Sequence, residues 1–209
     1  ATKIEDNDKD NTYSKCLEYL LKRESVDYFA YSDGELSFLE IIKEYFENNC
    51  STDKLINKDE PIKGCVSVKK NKKELNVGSY MPRIGMFGSV KTEGRDVIPS
   101  PYTTGLLDKF LDGTFSPAFE TARGCPFLCT FCDQGLDATK ITTFSVERIA
   151  DEIRYVADKL KNKKGTKSIF MFDSNWGIFE KDVRLSDEIL KIMDEYDYPQ
   201  YIECLTPKS

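Results

Sequence analysis

Apolar residues recur at helical spacing in four segments of the chain, and short apolar runs typical of strands lie between them. In the first part of the chain, helices are predicted over 13–23 and 36–46, with a strand over 26–31. A tight turn is predicted at Gly34, just before the second helix. This order is typical of an α/β layer, but one strand is too few for a sheet, so we expect the end of a domain whose beginning is missing.

The pattern loosens in the middle of the chain, where glycine and proline interrupt it. Two short runs, 62–68 and 74–77, predict a β-hairpin. Further on, Thr103 or Thr104 is predicted to cap a short helix that ends at Leu111. We interpret this region as a connector.

From Phe115 onward, predicted strands and helices alternate. Ser145 is expected to cap an amphipathic helix, and a second helix is predicted over 182–196. Such alternation is typical of a (β/α) barrel, in which active-site residues gather at the carboxyl ends of the strands. The predicted strands are 117–121, 167–172 and 201–205.

Three strands are fewer than a complete barrel requires. A full barrel has about eight strands and about 250 residues. An open sheet edge would also expose unpaired backbone groups. We therefore expect the chain to be a fragment, with the remaining strands supplied from elsewhere.

Composition excludes several classes of function. The chain has 209 residues, a net charge of −6 and no block of Lys and Arg interleaved with aromatic residues, so no nucleic-acid partner is indicated. No stretch approaches the roughly 18 apolar residues of a membrane span, and the N-terminus is acidic where a secretory signal would be basic. A cytoplasmic location is therefore expected.

The chain contains no histidine, which excludes Ser-His or Cys-His catalysis and histidine-ligated zinc or haem. Chemistry must then come from a cofactor, carboxylates or thiolates. Four of the seven cysteines are scattered, which is typical of buried or idle thiols rather than of a disulfide framework. They are Cys16, Cys50, Cys65 and Cys204.

The other three cysteines, Cys125, Cys129 and Cys132, form a Cys-x3-Cys-x2-Cys triplet in one short loop. Thiolates hold iron–sulfur clusters, and a 4Fe-4S cluster with three cysteine ligands keeps one iron open, as a catalytic site requires. The alternative is a structural zinc with Cys204 or Cys65 as the fourth ligand, although zinc sites favour paired Cys-x2-Cys knuckles.

This triplet, with Phe131 just before its last cysteine, resembles the signature of radical S-adenosylmethionine (SAM) enzymes. The resemblance implies that the cysteines ligate a 4Fe-4S cluster, that SAM chelates the open iron, and that an electron from the cluster cleaves SAM to a radical. It also implies that Phe131 lies near the adenine. In place of the family's Gly-Gly-Glu-like segment for the SAM amino group, this chain has Asp173, Ser174 and Asn175.

Two further pairs of stretches, 98–108 with 120–127 and 27–35 with 38–40, are similar to parts of cobalamin (B12)-binding radical SAM proteins. The resemblance implies an α/β fold in which a partial (β/α) TIM-like barrel follows the C-terminal remnant of a Rossmann-like cobalamin-binding domain. We assign the remnant to 1–48, the connector to 49–114 and the first part of the barrel to 115–209.

The resemblance implies a radical SAM enzyme that performs methyl transfer or rearrangement on a small-molecule metabolite, with cobalamin in the full-length protein. It also implies an external electron donor such as flavodoxin or ferredoxin. This chain offers no histidine to cobalt. The alternative function is a binding or scaffold module in which zinc or an iron–sulfur cluster only stabilises the loop.

Structural roles remain alternatives for several of these residues. Asp173 and Asn175 can cap a helix or shape a turn. Phe131 and Trp176 can be packing aromatics. Arg123 can form an ion pair instead of lying near a cluster, and Glu203 on the third strand can face inward or outward.

Overall fold

A computed structural model describes residues 12–23, 25–30, 34–69, 73–81, 84, 95–127, 129–132 and 141–207. The chain divides into two units, Ala1–Arg83 (unit 1) and Ile84–Ser209 (unit 2). The turn predicted before the second helix falls partly at 31–33, and the hairpin turn at 70–72; both stretches lie outside the described residues.

Unit 1 contains an antiparallel sheet in the order β1-β2-β3. Val66 of β2 lies opposite Phe29 of β1 on one side and Val77 of β3 on the other, so the predicted hairpin is confirmed. Both predicted helices are confirmed, whereas the predicted strand shortens to two residues. The elements are α1 (Thr12–Leu21), β1 (Phe29–Ala30), α2 (Gly34–Glu47), α3 (Thr52–Ile56), β2 (Cys65–Lys69) and β3 (Glu74–Val77).

Small buried clusters hold unit 1 together. Leu20 of α1 packs with Val66 and Leu75 of the sheet. Leu55, Ile62 and Cys65 form a second cluster. The described strands of unit 1 thus include both strands of the hairpin that the sequence assigns to the connector, and the division into 1–48, 49–114 and 115–209 stays a prediction.

Unit 2 contains a parallel sheet in the order β4-β7-β8, with helices in the connections between its strands. This arrangement confirms the predicted alternation and a mixed α/β fold. In the part of the chain that the structure describes, these three strands form an open sheet and no closed barrel. The elements are β4 (Ala118–Phe119), β5 (Ala122–Arg123), β6 (Thr142–Thr143), α4 (Val146–Leu160), β7 (Ser168–Met171), α5 (Glu180–Tyr196) and β8 (Tyr201–Cys204).

The main core of unit 2 lies between this sheet and its two helices. Ile153 of α4, Ile189 of α5 and Ile169 of β7 are fully buried in it. The Ser145 hydroxyl accepts a hydrogen bond from the Arg148 amide at 3.1 Å, which confirms the predicted cap of α4. The apolar periodicity therefore identified both helices by the faces that they bury.

The helix cap predicted at Thr103 or Thr104 is wrong. The structure has only a short 3-10 helix, Asp108–Phe110, without a side-chain cap. The Ser100 hydroxyl instead accepts hydrogen bonds from the amides of Tyr102 at 3.2 Å and Thr103 at 3.1 Å. These bonds stabilise a turn at Ser100, and Gly105, whose φ of +76° lies in the left-handed region, interrupts the backbone before an α-helix can continue.

The sequence did not predict β5 and β6, which pair antiparallel, with Ala122 opposite Thr143 and Arg123 opposite Thr142. Each strand has only two residues, too few to show an alternating pattern. The pair closes the base of the segment that carries the cysteine triplet. Among the described residues, no helix is both long and apolar enough to cross a membrane.

We expect Ile153→Ala to lower the free energy of unfolding by about 2–5 kcal/mol, because the removed atoms come from a fully buried side chain. Leu190→Ala is the control, since Leu190 lies on α5 but is 58 % exposed; its effect should stay within about 0.5 kcal/mol. Urea denaturation of both variants measures the difference. Equal losses would contradict the assignment of the core.

Candidate metal centre

The cysteine loop follows β5 and lies beside the loop that follows β7. The side-chain amide nitrogen of Asn175, Nδ2, is 3.1 Å from the Cys125 sulfur and donates a hydrogen bond to it. β4 and β7 are parallel, so the segments after them leave the same edge of the sheet. The contact therefore brings the cysteine loop and the loop after β7 together at this edge of the sheet.

All three cysteines of the triplet are free thiols. Cys129 is exposed, Cys125 and Cys132 are half-buried, and the Cys132 amide donates to the Cys129 carbonyl at 3.1 Å. Within the described residues, no group of three or more Cys, Asp or Glu side chains is close enough together to hold a metal ion. The donor set fits an iron–sulfur cluster by its chemistry, because three accessible thiols lie within one short loop. In the structure, however, the three thiols are not close enough together to bind one metal ion.

Phe131 is 84 % exposed, which argues against the alternative of a packing aromatic. Its position between two cysteines of the triplet keeps it available to a ligand at the loop. The predicted contact with adenine stays a prediction.

Asp173 is buried, and its carboxylate accepts hydrogen bonds from the segment that leads to the cysteine loop. One oxygen, Oδ1, accepts from the amides of Thr121 at 2.6 Å and Ala122 at 3.0 Å. The other, Oδ2, accepts from the Thr121 hydroxyl. These contacts differ from those expected of a residue that binds an ammonium group of SAM, and they make Asp173 a link between the two loops.

The start of α5 is held by Asp182 rather than by Asp173 or Asn175. Asp182 Oδ2 accepts hydrogen bonds from the amides of Gly177 and Phe179, both at 3.0 Å. The alternative in which Asp173 and Asn175 cap this helix is therefore wrong. Asp182 carries out that role because it stands in the first turn of the helix, where a carboxylate can reach free amides.

The remaining members of the loop after β7 divide between core and surface. Trp176 is buried in the main core, and its amide donates to the Leu205 carbonyl at 2.8 Å, so the packing interpretation is confirmed. Ser174 and Asn175 are half-buried. Of these two, Asn175 is placed beside the cysteine loop by its hydrogen bond to Cys125.

Arg123 forms an ion pair, as the alternative interpretation predicted. Its Nη2 lies 2.7 Å from Glu120 Oε2, and its Nε donates to the same carboxylate at 2.9 Å. Nη2 of Arg95, a side chain only 1 % exposed, lies 3.9 Å from the same Glu120 oxygen. Two cations therefore share Glu120 next to the entrance of the cysteine loop.

The other cysteines do not complete a metal site in the described residues. Burial raises the pKa of Cys65 to about 11, and its thiol contacts the Ser37 carbonyl at 3.9 Å. Cys204 packs beside the main core of unit 2. These observations give no support to the zinc alternative with Cys65 or Cys204 as the fourth ligand.

Glu203 is exposed on β8, so the structure has the outward of its two possible orientations.

Sequence reasoning missed Thr121, Lys181 and Asp182. Lys181 Nζ donates to the Thr121 hydroxyl at 2.7 Å and lies 3.3 Å from Asp182 Oδ1. The roles of Thr121 and Lys181 depend on contacts between residues about 50 to 60 positions apart, which no local motif marks. Asp182 makes local contacts with Gly177 and Phe179, and an acidic residue in the first turn of the predicted helix was a signal that could have found it.

Comparison with known proteins agrees with the motif. The chain is 28 % identical to the cobalamin-dependent radical SAM methyltransferase TokK of Streptomyces tokunonensis over 90 % of its own length and 25 % of that protein. A shorter part, 42 % of the chain, is 33 % identical to the 2-(S-pantetheinyl)-carbapenam-3-carboxylate methyltransferase of Streptantibioticus cattleyicolor and covers 13 % of it. No protein-family model matches the chain.

Among solved structures, the chain is similar to OxsB, a cobalamin-dependent S-adenosylmethionine radical enzyme, in a structure with aqua-cobalamin and S-adenosylmethionine bound. The TM-score is 0.52 at 18 % identity, over 90 % of this chain and 23 % of OxsB. The predicted resemblance to cobalamin-binding radical SAM proteins is confirmed. The chain spans about a quarter of the length of TokK and of OxsB.

Proposed function

We propose that this chain forms the cluster-binding part of a cobalamin-dependent radical SAM enzyme. In this proposal Cys125, Cys129 and Cys132 ligate a 4Fe-4S cluster. The observation that carries the proposal is the contact at 3.1 Å between Asn175 and Cys125, because it joins the cysteine loop to the loop where a SAM enzyme of this kind would hold its cosubstrate.

When bound, the cluster would supply the electron that cleaves SAM reductively. The chain's own contribution is to present three thiols from one loop and to keep polar groups at its edge. The side-chain amide of Asn175 donates a hydrogen bond to the Cys125 sulfur. Hydrogen bonds to cluster sulfurs are one of the means by which proteins set a cluster's reduction potential. Asn175 would therefore act on the cluster as well as on the ligand beside it.

For SAM, we propose contacts from Phe131, Ser174 and Asn175. Phe131 is exposed and offers a ring face to the adenine. Ser174 and Asn175 are half-buried at the facing loop. Asp173 belongs to the same predicted segment, but its carboxylate already accepts three hydrogen bonds from Thr121 and Ala122. We therefore propose that Asp173 holds the loop of Ser174 and Asn175 in place rather than contacting SAM itself.

Methyl transfer is the reaction we favour over rearrangement, because two similar curated proteins are named methyltransferases. Cobalamin would then be the methyl carrier of the whole protein, and its cobalt would receive no histidine from this chain. A metabolite substrate, an electron donor such as flavodoxin or ferredoxin, and a reducing cytoplasmic location complete the proposal.

The ligand assignment is tested by replacing each cysteine of the triplet with alanine. We expect Cys125→Ala, Cys129→Ala and Cys132→Ala to lose bound iron after anaerobic reconstitution, because two thiolates leave two irons without a protein ligand. Iron and sulfide per chain are the measurements. Cys50→Ala is the control, since Cys50 is an exposed free thiol outside the loop. Full iron in a triplet variant, or its loss in the control, would contradict the assignment.

The SAM surface is tested with Asn175→Ala. We expect this variant to bind SAM about tenfold more weakly, as for the loss of one hydrogen bond to a charged group, while its iron content stays that of the unchanged protein. Equilibrium binding to the reconstituted protein measures the affinity. Gln200→Ala is a control at an exposed amide side chain before β8. Unchanged affinity in Asn175→Ala would return this residue to a purely structural role.

A further inference from the structure

Thr121 lies in the bend between β4 and β5, and every one of its polar atoms is hydrogen-bonded although the residue is only 1 % exposed. Its amide donates to Asp173 Oδ1 at 2.6 Å. Its carbonyl accepts from the Phe144 amide at 3.0 Å and from Lys181 Nζ at 3.2 Å. Its hydroxyl donates to Asp173 Oδ2 and accepts from Lys181 Nζ at 2.7 Å.

These partners come from separate parts of unit 2. Asp173 follows β7, Phe144 follows β6, and Lys181 stands in the first turn of α5. One buried residue is therefore the point at which the chain entering the cysteine loop, the chain leaving it and the next strand–helix connection are joined.

The charges make the Thr121 hydroxyl difficult to replace. Asp173 is 2 % exposed and the Lys181 side chain is 18 % exposed. Burying charged groups is costly unless hydrogen bonds and opposite charges satisfy them. Among the described residues, the hydroxyl is the one atom that contacts both the carboxylate and the ammonium, so removing it would leave each of them short of one partner.

The position of Thr121 connects this network to the cysteines. It directly precedes β5, whose last residue, Arg123, lies two positions before Cys125. β5 is paired with β6 on the far side of the loop. The base of the cysteine loop is consequently closed by the pairing of β5 with β6 and, one residue earlier, by the bond from the Phe144 amide to the Thr121 carbonyl.

We propose that Thr121 is a positioning residue that, through Asp173 and Lys181, fixes the base of the cysteine loop so that the loop retains its cluster. The inference rests on the proposed function, since it assumes that the triplet binds iron. It assigns Thr121 and Lys181 a part in that site, and it gives Asp173 a role other than contact with SAM.

The experiment measures how fast iron passes to a ferrous chelator from the anaerobically reconstituted full chain. We expect Thr121→Val, which keeps the shape of the side chain and removes the hydroxyl, to release iron at least about tenfold faster, because it loses two hydrogen bonds to charged groups and even one such bond is worth about a factor of ten. Thr121→Ser restores a hydroxyl and should return the rate to that of the unchanged protein. Lys181→Met leaves the hydrogen bond from the Thr121 hydroxyl to Asp173 in place and should accelerate release by a smaller factor.

Two controls separate positioning from general stability. Thr166→Val removes a hydroxyl that contacts Ser116 and Ser168 beside the amino end of β7, away from the cysteine loop. Ile153→Val reduces a fully buried side chain of α4. Both are expected to release iron at the unchanged rate, even where the melting temperature of the metal-free protein falls as far as in Thr121→Val.

The outcomes distinguish this inference from the proposed function. If the unchanged protein takes up no iron, the proposed function fails. If it holds iron and both Thr121→Val and Lys181→Met release it at the unchanged rate, the positioning role is wrong while the proposed function stands. Equal acceleration in Thr166→Val or Ile153→Val would also overturn the positioning role, because the effect would then follow overall stability.

Discussion

The candidate metal centre depends on one buried carboxylate. Asp173 accepts hydrogen bonds from the amides of Thr121 and Ala122 and from the Thr121 hydroxyl. A carboxylate at this depth is stable only when such donors satisfy it. The loop after β7 and the strand that enters the cysteine loop are therefore held together at their bases, and Asn175 reaches Cys125 two residues further on.

The hydrophobic core explains why Asp173 is in the right place. Ile169 and Met171 of β7 are fully buried, so the strand is fixed in register against β4 and β8. Trp176 closes the other end of the loop, with its side chain in the core and its amide bonded to Leu205. Ordinary packing of two helices on a parallel sheet thus determines where a short polar loop meets the cysteines.

Much of unit 2 could be predicted from the sequence, because the signals involved are local and periodic. The buried face of α4 follows from apolar spacing, its cap from the serine just before it, and the parallel sheet from the alternation of strands and helices. The cysteine triplet is a local motif of the same kind. The resemblance to cobalamin-binding radical SAM proteins, made on that motif and its flanks, was confirmed by comparison.

What the sequence could not predict depends on long-range or very short features. β5 and β6 have two residues each and carry no period. The bonds of Thr121 with Asp173 and Lys181 join residues about 50 to 60 positions apart, so no window of the sequence contains both partners. Asp173 illustrates the consequence: the resemblance assigns it to the SAM site, and nothing in the sequence shows that its carboxylate also accepts hydrogen bonds from Thr121 and Ala122 in another strand connection.

The central claim is that the triplet holds a 4Fe-4S cluster with one iron left for SAM. Electron paramagnetic resonance of the reduced, anaerobically reconstituted full chain, recorded before and after addition of SAM, tests it most directly. The account predicts the signal of a single reduced 4Fe-4S cluster whose spectrum changes when SAM binds, because SAM then coordinates the open iron. A protein that retains zinc and shows no cluster signal, or a cluster signal that SAM leaves unchanged, would contradict the account.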